Sequence, residues 1–357
     1  MELLKKIGLL LIVFVAFVAA AIEDTPEDDF QRYSVVPILG YTEETEFQIG
    51  VMSLFFLRPG EKGGNVPEIG LTAYGSTRGQ LQVALEPYYY MFHDQISIWG
   101  LLKYQDWVAG YYGRGNNPDI DVFTNFNRKK FQYGTKIESR IGLPKSFKYG
   151  VEVHAEYTEI DFEKGEVTDL PDDHSGWRNG AGYLVGLDTR DNINWTHHGY
   201  LVQWQQMFYS DRLGDYTFDV EMLDMRGYST VTPTTTMALG FLWQRADGDV
   251  PFDMLAGPDG ICRFRGVESL YFGDNQAVIM QAEVRQLIWW RLGSHLFFEG
   301  GKAGRYFSEL VSNDWHRSIG VGALLGLNLK QNLFARADFS WVDFDHLGLS
   351  FYVRQAF

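Results

Sequence analysis

Segments of about ten residues in which apolar and polar side chains alternate recur along the chain from residue 33 onward, and that period and length constrain the fold more than any other feature. In Gln276 to Leu287, Val278, Met280, Ala282 and Val284 take one face, while Ala277, Ile279, Glu283 and Arg285 take the other. Gln331 to Val342 sets Leu333, Ala335, Ala337 and Phe339 against Phe334, Arg336, Asp338 and Ser340. The final segment sets Leu349, Phe351, Val353 and Phe357 against Ser350, Tyr352 and Arg354. One face is oily and the other tolerates charge, an arrangement open to a soluble sandwich as well as to a membrane barrel.

Three further features favour the barrel. The chain reaches Phe357 inside an alternating segment, which suits a last strand that closes against the first. Aromatic residues gather near predicted strand ends, at Tyr88-Tyr89-Tyr90, Tyr111-Tyr112 and Trp289-Trp290, as interfacial girdles require. Long and short connections alternate. The predicted strands are 33-41, 46-58, 66-77, 80-91, 94-106, 130-142, 147-160, 180-189, 198-209, 215-226, 233-244, 276-288, 292-304, 317-328, 332-342 and 347-357. The long gaps 107-129, 161-179, 245-275 and 305-316 all follow odd-numbered strands and therefore fall on one side, the outer one. The expected fold is all-β, a transmembrane antiparallel β-barrel of 16 strands. Such a barrel also explains how a chain that is 16% aromatic keeps a mean hydropathy of -0.19, because the average conceals two opposite surfaces.

The N-terminus sets the compartment. Lys5 and Lys6 precede an apolar run from Ile7 to Val18 that ends in Ala19-Ala20-Ala21, the layout of a cleaved secretory signal peptide. Residues 1-21 are read as that signal, 22-32 as a short periplasmic segment and 33-357 as the barrel. A formal charge of -15 argues against a nucleic-acid partner. The single cysteine, Cys262, excludes an intrachain disulfide and any Cys-based zinc site, and is read as packed in a lumenal loop. No Gly-x-Ser-x-Gly elbow is present, and His154, His174, His197 and His198 carry no metal-ligand spacing, so neither catalysis nor a cofactor is expected.

Four motifs fall in order along the second half. Gly186-Leu187-Asp188-Thr189-Arg190-Asp191-Asn192 lies at the inner turn after the eighth strand, and Phe264-Arg265-Gly266-Val267 lies in the loop after the eleventh. Ala282-Glu283-Val284-Arg285 and Phe297-Phe298-Glu299-Gly300-Gly301 follow on the next two strands. With the terminal Phe, this order resembles the barrel of the outer-membrane assembly-factor superfamily, the BamA/TamA type also called bacterial surface antigens. That family carries an Arg-Gly-aromatic loop tip that folds into the lumen. Here Arg265 and Gly266 match and both flanks depart, while Glu299 replaces the Asp of a Phe-x-Asp-x-Gly pattern bounded by Phe297 and Gly301. Tyr111-Tyr112-Gly113-Arg114-Gly115-Asn116-Asn117 is similar to a further loop of the family.

The resemblance implies that loop 245-275 enters the lumen and that Arg265 finds an acidic partner on the twelfth or thirteenth strand. The alternation agrees, since Glu283 shares the lumenal face and Phe297 and Glu299 share one face of their strand. A buried guanidinium is costly unless paired, so Arg265 is expected to pair with Glu299 or Glu283 and to lock the loop, with Gly266 permitting its tight tip. Asp188 to Asn192 read as a hydrogen-bonded turn. Pro37 and Gly40 weaken the first strand and with Phe357 mark a loose seam.

Between Ile22 and Tyr33 there is no room for POTRA repeats, so the chain reads as a barrel-only member. The resemblance implies assembly, insertion or translocation of outer-membrane proteins. The alternative is a passive or gated channel plugged by the Arg265 loop, and a purely structural barrel is a third reading. The partners implied are outer-membrane lipid or lipopolysaccharide and a periplasmic partner or client barrel protein.

Overall fold

In the computed structural model the described residues are 32-357, apart from 43-45, 59-64, 120, 143, 145, 164, 166, 168-169, 172-173, 330-331 and 355-356. The expected signal peptide and nearly all of segment 22-32 lie outside them. Sixteen strands form one antiparallel sheet in sequence order. The first eight are β1 (Tyr33–Thr42), β2 (Glu46–Phe56), β3 (Glu68–Ser76), β4 (Leu81–Met91), β5 (Ile96–Tyr111), β6 (Thr124–Ser139), β7 (Phe147–Phe162) and β8 (Gly176–Asp188). The second eight are β9 (Gly199–Tyr209), β10 (Phe218–Thr232), β11 (Thr235–Gly248), β12 (Gln276–Trp289), β13 (Leu292–Gly304), β14 (His316–Asn328), β15 (Leu333–Val342) and β16 (His346–Val353). A short helix, α1 (Phe307–Ser312), interrupts the connection from β13 to β14.

The period-2 pattern partitions the sheet into two surfaces. On β12 and β13, Met280, Leu296 and Phe298 face outward, while Ile279, Glu283, Phe297 and Glu299 are buried within. Expected girdle residues divide between the two. Tyr89, Trp289 and Trp290 are exposed, but Tyr88 lines the lumen, and Tyr111 and Tyr112 pack under the loops against Phe252 and Tyr271. Adjacent aromatics within a strand point to opposite faces, which parts Tyr88 from Tyr89, whereas Trp290 lies past the end of β12, in the turn, and is exposed with Trp289.

The sheet does not close. β1 and β16 are its two edges, and no backbone ladder joins them among the described residues. The final strand also ends earlier than the alternation predicts, at Val353. Arg354 adopts φ +82°, in the left-handed region, and turns the chain out of the ladder. Phe357 is consequently not a lipid-facing strand residue. Its ring is buried against Tyr228 and Ala238, and its carbonyl accepts a hydrogen bond from Arg285 Nη2 at 3.0 Å. The lumenal wall offers a large apolar ring a drier place than the free edge of a strand would.

Candidate functional site

The connection from β11 to β12, residues 249-275, runs into the lumen as a packed plug. Phe264 and Phe272 are fully buried and meet edge to face, with ring centroids 5.1 Å apart. They pack with Ala277, Ile279 and Ala303 of the β12–β13 wall, and Val267 joins the same cluster. Gly301 makes the approach possible, because a Cβ there would come within 2.5 Å of the Phe272 ring.

At the loop tip Arg265 is completely buried and meets three carboxylates. Its Nε donates to Glu299 at 2.8 Å and its Nη1 to Glu283 at 2.7 Å, with Asp338 of β15 at 3.4 Å from the same nitrogen. The backbone N–H of Arg265 donates to the second oxygen of Glu299 at 2.5 Å. The guanidinium also lies over the Phe297 ring, 3.5 Å from its centroid. Burial works against that charge, but Glu299, Glu283 and Asp338 more than offset it and hold Arg265 above its ordinary pKa. Arg285 pairs with Glu283 at 2.5 Å and Arg336 with Asp338 at 2.8 Å, so three guanidinium groups face three carboxylates. Glu283 and Glu299 are both partners, where the sequence left a choice. Asp338 was not among the expected partners, although the alternation on β15 places it on the lumenal face.

Gly266, at φ +97°, lets the tip turn directly onto the last two strands. A Cβ on Gly348 of β16 would fall 2.3 Å from the Gly266 carbonyl oxygen, so the loop tip and β16 touch backbone to backbone. Cys262, three residues before Arg265, is partly buried and unbridged, and burial pushes its thiol pKa up, away from reactivity.

The same loop is tethered at the opposite wall. A single 3₁₀ turn, Phe252–Met254, places the Phe252 ring among Tyr111, Phe126 and Phe162, with centroids 5.2, 5.2 and 5.4 Å away. The next residue, Asp253, pairs with Arg178 of β8 at 2.9 Å and lies 3.6 Å from Lys130 and 3.7 Å from Arg128 of β6. Burial would raise its carboxyl pKa, but Lys130, Arg178 and Arg128 hold it well below the usual carboxylate range. Above it, the Tyr111 to Asn117 loop clasps the plug. Asn116 Oδ1 accepts from the Ala303 N–H at 2.7 Å, Gly115 bridges Gly273, and Arg114 bonds Asp274 at 2.6 Å. Neither Asp253 nor Asn116 lies in an alternating segment, so no periodicity pointed to either.

The seam is a lap rather than a gap. Leu325 and Leu327 of β14, Leu333 of β15 and Val353 of β16 share the parity of the exposed Ile319, Phe339 and Phe351, and so lie on the outer face. Val36 of β1 and Met52, Leu54 and Phe56 of β2 have the opposite parity from the exposed Val35, Ile49 and Phe55, and so lie on the inner face. These two sets form one apolar cluster. The inner side of β1–β2 therefore covers the outer side of β14–β16. Polar contacts across the lap among the described residues include Asn328 Nδ2, which donates to Ser34 Oγ at 3.4 Å, and the Arg354 guanidinium, which bonds Glu68 of β3. Pro37 pairs with Val51 and Gly40 with Gln48, inside the β1–β2 ladder. A cavity of about 780 Å³ extends from this lap to the loop, lined by Pro37, Glu86, Trp99, Lys103, Arg128 and Tyr352 among others.

The turn after β8 is closed on itself. Arg190 binds Asp188 through two nitrogens, at 2.9 and 2.8 Å, and the Thr189 N–H donates to the Tyr200 carbonyl. Asp191 Oδ1 accepts from the N–H groups of Asn192, His197 and His198, and Asn192 Oδ1 from those of Asn194 and Trp195.

The sixteen-stranded antiparallel sheet, with the Arg265 loop held inside it, has the fold of solved BamA and CdiB structures. The same fold is found in BamA from Haemophilus ducreyi lacking POTRA domains 1-3, with a TM-score of 0.58 and 12% identity over 91% of this chain and 70% of that one. It is found in CdiB from Acinetobacter baumannii (TM-score 0.56, 9% identity, 91% of this chain and 60% of that one) and in CdiB from Escherichia coli (0.57, 11%, 92% and 63%). No protein-family model and no curated protein sequence matches the chain. Identities this low speak to fold.

Proposed function

We propose that this chain is an outer-membrane barrel that moves polypeptide into or across the bilayer through the lap between β1 and β16. The observation that carries this reading is the lap itself, where the two ends of the sheet meet by apolar side-chain contact instead of a ladder. A ladder would have to break backbone hydrogen bonds to open, whereas a lapped apolar contact can be exchanged for another apolar strand. The BamA-type fold supports the same reading, since that resemblance implies assembly or translocation.

Ser34→Cys with Asn328→Cys, in a Cys262→Ser background, tests it by joining the two ends with a disulfide. Reconstituted in lipid vesicles, the reduced barrel should speed insertion of a urea-unfolded outer-membrane barrel precursor, and the oxidised barrel should not. Equal rates in the two states would exclude the seam as the route and favour the channel reading, in which conductance is indifferent to the lock.

A further inference from the structure

Among the described residues, the wall that receives Asp253 carries more positive charge than its own carboxylates balance. Arg128, Lys130 and Arg178 converge there, and Glu156, 2.9 Å from Lys130 and 3.0 Å from Arg178, is the carboxylate that the strands themselves place within ion-pair distance. Glu159 and Asp161 of the same strand are exposed. Among the described residues, two carboxylates face three cations with Asp253 in place, and without it one does. Arg178 is fully buried and Arg128 and Lys130 are partly so, and cations left so unbalanced are costly, so the wall takes an anion from the loop. Further donors are available, because Arg128 Nε and Arg178 Nε are buried without a hydrogen-bond partner. The requirement has a second element, since Phe252 immediately before Asp253 fills the cage of Tyr111, Phe126 and Phe162.

We propose that the β6–β8 wall is a binding site for an aromatic residue followed by a carboxylate in a polypeptide segment, and that Phe252-Asp253 occupies it as an internal ligand. The site borders the cavity that runs to the lap, with Arg128, Phe126, Phe252 and Asp253 all in the cavity lining. A polypeptide segment entering from the seam meets this wall from the cavity side. Its aromatic-acidic pair displaces Phe252-Asp253 and frees one end of the plug, while Arg265 still holds the other. The site follows from charge balance and the aromatic cage; only the source of the competing segment rests on the translocation reading.

The test separates the two. Purified barrel carrying Phe252→Ala and Asp253→Ala is titrated with a fluorescent acetyl-Pro-Phe-Asp-Met-Leu-amide, a copy of residues 251-255. The variant should bind the peptide and the native chain should not, its site being filled. Replacing the peptide's Asp by Asn should weaken binding on the order of tenfold or more, the worth of a charge-assisted hydrogen bond, and Arg178→Gln in the variant should abolish it. Failure of the variant to bind, or equal binding of the Asn peptide, overturns the proposal. Should the double variant not fold, Asp253→Ala alone serves, with acetate expected to raise its melting temperature more than chloride at equal ionic strength. Equal effects of the two anions also overturn it. Peptide binding combined with a seam lock that leaves insertion unchanged would keep the site and discard the transport reading.

Discussion

The β12–β15 wall and the lapped ends of the sheet belong to one continuous ladder, yet they are held by opposite means. The wall buries three guanidinium groups against three carboxylates, each in a fixed geometry, and seats the loop tip among them. The lap brings Val36, Leu54 and Phe56 onto Leu325, Leu327 and Leu333, with a long Asn328–Ser34 hydrogen bond and the Arg354–Glu68 ion pair among its polar contacts. Charge pairs at the wall have no substitute when broken. Apolar contacts at the lap do, since Leu325, Leu327 and Leu333 lie on the lipid-facing side, and lipid tails are as apolar as the residues that cover them. Only the inner residues of β1 and β2 lose by separation, and an incoming apolar strand restores what they lose. The contrast assigns rigidity to one arc of the barrel and exchange to the other, and β16 touches both through Gly348 and Val353.

The largest effect is expected at the wall. Arg265→Ala leaves Glu283, Glu299 and Asp338 without the guanidinium that joins them, with Arg285, Arg336, His295 and Gln281 still beside them in a dry site, at a cost of about 3–5 kcal/mol. The folded band in unheated gel electrophoresis should convert to the unfolded one at a clearly lower temperature. Arg265→Lys should recover part of the loss, since an ammonium lacks the planar fork that reaches Glu299 and Glu283 together. Survival of native heat stability in Arg265→Ala would remove the distinction between the two arcs. Asp253→Asn comes next, at roughly 2–3 kcal/mol, because Glu156 still balances part of the cationic wall. Its signature is local: faster amide exchange over residues 249-260, with the amides around Arg265 still protected.

Much of the wall could be read from the chain, because alternation assigns faces before any contact is known. Glu283 is placed inside by the apolar residues that flank it, Phe297 and Glu299 fall on one shared face of the next strand, and parity on β15 holds Asp338 inside. The lap resisted that logic. β1 and β2 are apolar at both parities, as in Val35-Val36 and Leu54-Phe55, and such a pattern gives no side to lipid and no side to lumen. Its meaning appears once each face has its own apolar neighbour, lipid outside and the other end of the sheet inside. Phe357 misled for a related reason: its parity fits β16, but parity carries no information past Arg354, where the backbone leaves the strand. Asp253 lies in a 27-residue connection whose path is set by tertiary contacts that no local period encodes.

Smaller effects sharpen the comparison at the place where the arcs meet. Gly348→Ala pushes a methyl group into the Gly266 backbone, an overpacking that costs about 1–3 kcal/mol. It should loosen the loop tip and the last strand together, so crosslinking of the Ser34→Cys/Asn328→Cys pair should slow in this variant. Unchanged crosslinking would show that the tip and the seam move independently.

The smallest stability change is expected within the lap, and that smallness is itself the test. A buried Leu→Ala change in a water-soluble core costs about 2–5 kcal/mol. Leu333→Ala removes a residue that is 1% exposed, yet its neighbours there can be re-covered by lipid, so about 1 kcal/mol or less should be lost. Leu54→Ala, across the same contact but on the inner face of β2, should cost more, because the space it leaves opens toward the lumen. Comparison of the two by urea unfolding in lipid vesicles measures the asymmetry directly. Equal costs near the soluble-core value would mean that the lap is an ordinary sealed core, and a seam sealed in that way would not exchange its contacts for those of an incoming strand.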